Sequence, residues 1–194
     1  MLLAARQGIR LDPADFVAPS APDIRPANGK LGVLLVGLGA VSSTFIAGVE
    51  HVRRGNRQPV GSLAQLATIR LGKRTDGRTP LIRDFVPLAE LDQLVFGAWD
   101  PIPDDAYDAA VKSGVLDRYE EIEPVADFLK SIRPMLAVFD NDYVKRIDGS
   151  NVKSTASKLA SVESVREDIR RFKEENDCDR LVMVWCASTE KFIT

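Results

Sequence analysis

The sequence predicts an α/β protein built on a doubly wound, Rossmann-like parallel sheet that is truncated after its fourth strand. Four runs of about five or six residues are apolar at both alternating positions, which is typical of strands buried on both faces. Helical stretches lie between the runs, and this alternation builds a parallel sheet with helices on both sides. A glycine-rich turn follows the first run directly. The predicted strands are residues 31–36, 94–98, 135–139 and 181–185.

Residues 1–30 are predicted to form an extended N-terminal arm or linker. They contain four prolines, which lack an amide donor and block helix formation, and they end just after Asn28-Gly29. Residues 31–194 are predicted to form an incomplete Rossmann-like domain, because a doubly wound sheet normally adds further strands and helices. Residues 1–11 are not followed by the cleavage site of a secretory leader, so a cytoplasmic protein is expected.

The helices predicted from the sequence are residues 41–54, 104–113 and 161–176. The last of them places apolar residues three or four positions apart on one face, from Val162 to Phe172, and Ser161 is expected to cap it. Two longer excursions, residues 56–93 and 140–157, interrupt the alternation of strands and helices. The basic residues of the first excursion are expected to form a solvated surface.

Composition and charge exclude several classes of function. The chain has 194 residues, 45% of them hydrophobic, and a net charge of −2, so no basic field would hold nucleic acid or an anionic membrane. No apolar run approaches the roughly 20 residues that span a bilayer. Cys178 and Cys186 fit neither a disulfide framework nor a metal pair, and they are expected to be reduced thiols. His51 alone cannot form a metal site, so no metal is predicted.

The glycine-rich turn after the first strand is the strongest local indication of a ligand. Gly37 permits a tight turn, and Gly39 lets the backbone approach a pyrophosphate, whose charge the amides and positive end of the next helix would hold. Serine and threonine hydroxyls in the first helical turn are expected to add donors. A pattern with only two glycines is weak by itself, but its place between a buried strand and a helix favours nucleotide binding. The candidate ligands here are Gly37, Gly39, Ala40, Val41, Ser42 and Ser43.

Two further segments are expected at the same edge of the sheet. Asp100 ends the second strand, where a carboxylate binds the ribose hydroxyls of NAD and disfavours the 2′-phosphate of NADP; the alternative is a helix cap before Pro101. The fourth strand leads into small and hydroxyl residues that suit close approach to a cofactor; the alternative is that Ser188 and Thr189 cap a helix. The candidates in this second segment are Cys186, Ala187, Ser188 and Thr189.

Four motifs in order resemble the inositol-1-phosphate synthases. They are LGVLLVGLG at 31–39, VFGAWD at 95–100, REDIRRFKEEN at 166–176 and WCASTE at 185–190. The resemblance covers nearly everything after the arm. The turn at Ala40-Val41-Ser42-Ser43 and the segment Cys186-Ala187-Ser188-Thr189 differ from eukaryotic members and resemble prokaryotic ones.

This resemblance implies an NAD-dependent isomerase that converts glucose 6-phosphate to inositol 3-phosphate, with the adenine near Ala137 and Val138. Inositol and phospholipid biosynthesis and a homotetramer are implied as well. The family's catalytic lysines lie in a second half, so no catalytic residue is assigned here, Lys153 and Lys158 are taken as surface groups, and the chain alone is expected to be inactive and poorly folded. The alternatives are another NAD-dependent dehydrogenase or a non-enzymatic NAD-sensing module on the same fold.

Overall fold

A computed structural model of the protein describes residues 27–140, 147 and 149–187. In this part of the chain, four parallel strands form one sheet in the order β3-β2-β1-β4. The strands are β1 (Lys30–Val36), β2 (Leu94–Asp100), β3 (Met135–Leu136) and β4 (Cys178–Trp185). The predicted α/β parallel sheet is confirmed. The predicted arm lies almost entirely outside the described residues, as do Ser188 and Thr189.

The third and fourth strands differ most from the predicted bounds, whereas β1 begins one residue earlier and β2 ends two residues later than predicted. β3 pairs with β2 over two residues only, and the chain then forms a single parallel bridge between Ala137 and Val152. The prediction of a strand over 135–139 was therefore wrong in length, because the excursion that follows returns to the sheet and takes over the pairing. β4 begins three residues earlier than predicted, at Cys178.

The structure contains the three predicted helices and several short elements that the sequence did not indicate. The helices are α1 (Ala40–Arg53), α2 (Leu63–Leu66), α3 (Ile82–Phe85), α4 (Ala106–Ser113), α5 (Ala126–Ser131) and α6 (Lys158–Glu175), with a π-helical turn at Arg118–Ile122. The expected cap at Ser161 was wrong. Ser157 caps α6 instead, since its hydroxyl oxygen accepts a hydrogen bond from Ala160 N at 3.2 Å.

Helices cover both faces of the sheet, as a doubly wound arrangement requires. On one face, α1, α4 and α5 pack over alternate residues of β1 and β2, such as Val33 and Phe96. On the other face, α6 buries Phe172 against Leu34 and Trp99. Phe172 lies so close to the sheet that a β-carbon added to Gly97 would come within 2.6 Å of its ring.

The first excursion forms a small unit of its own at the amino end of β2. α2 and α3 pack together and an antiparallel bridge joins Thr68 to Leu81. Arg53, at the end of α1, holds the segment through which this unit leads back into β2. Its guanidinium donates to the carbonyl oxygens of Leu91 and Leu94 at 2.5–2.9 Å. Among the residues described here, no helix is long and apolar enough to cross a membrane.

β4 forms an edge of the sheet, and its apolar side chains remain exposed. Val182 is 42% exposed, Met183 49% and Trp185 75%. Trp185 lies at the carboxyl end of the strand, next to the glycine-rich turn that follows β1.

Candidate nucleotide-binding site

Position 37 requires a glycine, because its backbone conformation and its close neighbours both exclude a side chain. Its φ angle is +97°, a region that side chains with a β-carbon rarely adopt. An added β-carbon would also lie 2.9 Å from the main chain of Ala187, which follows β4. Its amide donates to the carbonyl oxygen of Trp99 at 2.8 Å. The turn is therefore fixed between the ends of β2 and β4, at the carboxyl edge of the sheet.

Gly39 differs from Gly37 because none of the described residues fills the space beside it. An added β-carbon would find no atom of these residues within 4 Å. Gly39 is the N-cap residue of α1, with no side chain capping the helix and no acidic residue in its first turn. The amides of Ala40 and Val41 begin this 14-residue helix, whose positive end favours an anion. The open space and the uncapped helix fit a pyrophosphate.

Two serines in the first turn of α1 donate their hydroxyls to main-chain carbonyl oxygens of the protein. Ser42 is fully buried and its hydroxyl donates to the carbonyl oxygen of Gly37 at 2.5 Å. Ser43 is also fully buried; its hydroxyl donates to Ala40 O and its amide to Gly39 O. The expectation that these hydroxyls are donors for a phosphate does not match the structure. Ser42 instead ties the helix to the turn at the position of the missing third glycine.

Asp100 lies beside the glycine-rich turn and already holds it. One carboxylate oxygen accepts from Leu38 N at 2.6 Å and the other from Ile102 N at 2.8 Å. The helix-cap alternative is wrong, because Asp105 caps α4. A carboxylate has about four acceptor positions, so two remain for ribose hydroxyls.

The segment after β4 completes the same edge. Cys186 N donates to Val36 O at 2.8 Å, which continues the pairing with β1, and the side chain of Cys186 is half-buried. Ala187 follows in contact with Gly37. Cys178, at the other end of β4, is buried, and burial raises the pKa of its thiol, so it stays protonated at neutral pH.

A cavity of about 710 Å³ lies beyond β3, where the adenine was expected. Val138 is half-exposed at its rim. The described lining includes Val138, Phe139, Val152, Lys153, Ser157 and Ser161. The structure thus places the glycine-rich turn, Asp100, Cys186 and this cavity along the carboxyl ends of the strands, where open α/β sheets bind ligands.

Sequence reasoning missed a buried polar cluster on the α6 side of the sheet. Lys153, predicted to be a surface group, has a side chain only 11% exposed, and its ammonium lies 2.8 Å from a carboxylate oxygen of Asp168. Trp99 donates its indole N–H to the same oxygen at 2.9 Å. The signal was present in the sequence, since Asp168 occupies the same helical face as Val165 and Phe172.

Asp168 is ionised in this cluster. Burial would raise the pKa of its carboxyl, but the hydrogen bonds from Lys153 and Trp99 and the positive charge of Lys153 outweigh burial. The pKa of Asp168 therefore lies below the ordinary aspartate value. Arg171 adds a further donor at 2.7 Å on the other carboxylate oxygen.

No metal centre is found within residues 27–140 and 149–187, where no three potential ligand side chains come together. His51 is buried and its Nε2–H donates to Glu121 O at 2.7 Å. Its role in the described structure is to hold the π-helical turn against α1.

The fold and the site together define a dinucleotide-binding α/β domain. The sheet is parallel, a glycine-rich turn leads from β1 into an uncapped helix, and an acidic residue ends β2.

Comparison with known proteins gives the family within this class. The model of the NAD-binding domain of myo-inositol-1-phosphate synthase matches residues 31–194. The chain therefore belongs to the myo-inositol-1-phosphate synthase family.

Individual relatives agree with this assignment. The chain is 45% identical to inositol-3-phosphate synthase 1 of Bacteroides thetaiotaomicron over 88% of its length, and 31% identical to that of Oryza sativa over 94%. The crystal structure of the inositol-3-phosphate synthase of Caenorhabditis elegans matches 86% of the chain at 26% identity, with a TM-score of 0.74. The chain spans 39%, 42% and 35% of these three proteins.

Proposed function

We propose that this chain provides the NAD site of an inositol-3-phosphate synthase. The observation that carries the proposal is the open space beside Gly39, at the uncapped N-terminus of α1 and next to Asp100. A pyrophosphate in this space would accept hydrogen bonds from the amides of Ala40 and Val41. Asp100 would accept hydrogen bonds from the adenosine ribose, and its charge would repel the extra phosphate of NADP.

The remaining predicted ligands would complete this site. Val138 would contact the adenine at the rim of the cavity beyond β3. Cys186 and Ala187, with Ser188 and Thr189 after them, would line the opposite side of the crevice. Ser42 and Ser43 would act indirectly, because their hydroxyls hold the turn and the first turn of α1 in shape.

In the complete enzyme, Gly39, Ala40, Val41 and Asp100 would hold NAD, and the cofactor would supply reversible hydride transfer at C5 of glucose 6-phosphate. The C5 ketone would enolise, and C6 would bond to C1 in an intramolecular aldol reaction. This chain's residues would bind and orient the cofactor, and we assign it no catalytic residue. We further propose a cytoplasmic homo-oligomer that serves inositol and phospholipid biosynthesis.

Calorimetric titration with NAD tests the binding proposal in a chimaera, in which the chain replaces the matching segment of the Bacteroides thetaiotaomicron enzyme. Gly39→Val should abolish binding, since a branched side chain would fill the pyrophosphate space while leaving the fold intact. Gly61→Val is the matched control, because its added side chain also meets open space, in the first excursion. NADP should bind more weakly than NAD. Equal NAD affinity in Gly39→Val and Gly61→Val would contradict the proposed site.

A chimaera tests the proposed reaction. In the chimaera, the chain replaces the matching segment of the Bacteroides thetaiotaomicron enzyme, and this chimaera is incubated with glucose 6-phosphate. We expect inositol phosphate to form with no net accumulation of NADH, because the hydride is returned. Stoichiometric NADH would instead support another NAD-dependent dehydrogenase. NAD binding without either product would support the NAD-sensing alternative.

A further inference from the structure

We propose that Asp168 is a positioning residue for the adenosine end of the cofactor site and acts through Lys153. This inference rests on the proposed NAD site and adds to it Asp168, whose side chain does not line the cavity. Asp168 lies on α6, on the face turned to the sheet, and is 2% exposed. It connects α6 to two segments that reach the carboxyl edge of the sheet.

The first of these segments is the end of β2. Trp99 donates its indole N–H to Asp168, while the carbonyl oxygen of Trp99 accepts the amide of Gly37. The next residue, Asp100, accepts the amide of Leu38. Two adjacent residues of β2 therefore hold the glycine-rich turn, and Asp168 fixes the side chain of one of them.

The second segment is the return of the excursion, residues 151–153. Lys153 N donates to Ala137 O at 2.8 Å, and Ala137 N donates to Asn151 O at 2.9 Å. The side-chain amide of Asn151 donates to the carbonyl oxygens of Asp100 and Met135. This segment extends the sheet beyond β3 and also forms a wall of the cavity at Val138.

The ion pair of Lys153 with Asp168 attaches that wall to α6. A buried ion pair contributes little net stability compared with apolar side chains of the same size, because both charges must be desolvated. The ion pair has a larger effect on geometry. A charged donor and acceptor fix the relative position of the two segments that carry them, whereas apolar side chains would allow several positions. The position of this pair, directly behind the cavity wall, points to control of the shape of the adenosine site.

The test compares ligands that carry different ends of NAD. Affinities for NAD, ADP-ribose and nicotinamide mononucleotide are measured in the chimaera with the Bacteroides thetaiotaomicron enzyme, for the parent sequence and for Lys153→Met. We expect NAD and ADP-ribose to bind about tenfold more weakly to Lys153→Met, equivalent to about 1.4 kcal/mol. Nicotinamide mononucleotide, which lacks the adenosine, should bind unchanged. Lys153→Arg, which keeps the charge and a donor, should restore most of the affinity.

Arg171→Met is the matched control. It also removes one cation from Asp168, but Arg171 extends from the exposed side of α6 and holds no part of the cavity. We expect its ligand affinities to equal those of the parent. Unchanged ADP-ribose affinity in Lys153→Met, or an equal loss for all three ligands, would overturn the inference. If the parent binds none of the three, the proposed NAD site fails, and this inference fails with it.

Discussion

At the residue scale, the two glycines of the turn serve different purposes. Gly37 has a positive φ and is crowded by Ala187, so the fold requires it. Gly39 has an extended conformation and open space beside it, so the fold would accept a larger residue there. A position where a side chain would fit but none is present is one that a ligand can use.

Asp100→Ala should lower both stability and NAD affinity. The carboxylate accepts two main-chain amides of the described structure, and we expect a loss of about 1–3 kcal/mol in unfolding free energy. The loss of ribose hydrogen bonds should lower NAD affinity by about 1–3 kcal/mol as well. Denaturant unfolding and calorimetry measure the two effects separately.

Asp105→Ala is the control for this substitution. Asp105 caps α4 through Asp108 N, so its loss should cost about 1 kcal/mol of stability and leave NAD affinity unchanged. An Asp100→Ala variant that binds NAD as the parent does would remove Asp100 from the site and leave it as a support for the turn.

Sequence reasoning identified the residues at the edge of the sheet but not the partners of their side chains. The glycine pattern and the strand end predicted where Gly37, Gly39 and Asp100 lie. The hydroxyl of Ser42 and the ammonium of Lys153 turn inward because main-chain or carboxylate acceptors lie there in three dimensions. The spacing of residues in the sequence does not indicate that Ser42 would bond to Gly37 O or Lys153 to the carboxylate of Asp168.

At the element scale, the contact of α6 with the sheet depends on a glycine in β2. An added β-carbon at Gly97 would lie 2.6 Å from the ring of Phe172 and 3.1 Å from Leu34. Gly97→Ala should therefore lower the unfolding free energy by about 1–3 kcal/mol through overpacking. Gly48→Ala, at an exposed position of α1 with open space, should raise stability by up to about 1 kcal/mol. The unfolding free energies of both variants are measured with denaturant. If Gly97→Ala were no more destabilising than Gly48→Ala, this packing would be contradicted.

The attachment of α6 should weaken in acid. The folded pKa of Asp168 is lowered, so its stabilising effect is present above the ordinary aspartate pKa of about 3.9 and is lost as the pH falls through the lower folded value. The stability of the parent should exceed that of Asp168→Asn at neutral pH. This difference should shrink as the pH falls below about 3.9. A difference that does not change with pH would show that the charge of Asp168 is unimportant.

The long elements were predictable because β1 and β2 are continuous apolar runs and α6 has apolar residues three or four positions apart. The short ones were not. β3 has only two paired residues, and α2 and α3 have four residues each, so no period can be read from them. Their geometry comes from tertiary contacts, such as the hold of Arg53 on the carbonyl oxygens of Leu91 and Leu94.

At the scale of the whole molecule, the free edge at β4 should cause self-association. The strand presents exposed apolar side chains, and an open edge can pair with another chain. Light scattering of the 194-residue chain should show a mass that rises with concentration. Met183→Lys should reduce this rise, because a charge on an edge strand opposes pairing.

Leu159→Lys is the control, since it replaces an apolar residue on α6, away from the edge, that is more exposed than Met183. Its association should match that of the parent. If the parent is monomeric at all concentrations and unfolds in one sharp transition, the expectation of poor folding and association is wrong.

Nuclear magnetic resonance can locate NAD at the glycine-rich turn between β1 and α1, where we propose that it binds. Amide resonances of this chain, ¹⁵N-labelled within the chimaera, are recorded during titration with NAD. We expect the largest shifts at Gly37, Gly39, Ala40 and Val41, with smaller shifts at Cys186 and Val138. Saturable binding whose shifts leave these amides unmoved and fall instead on the first excursion, residues 56–93, would contradict this proposal.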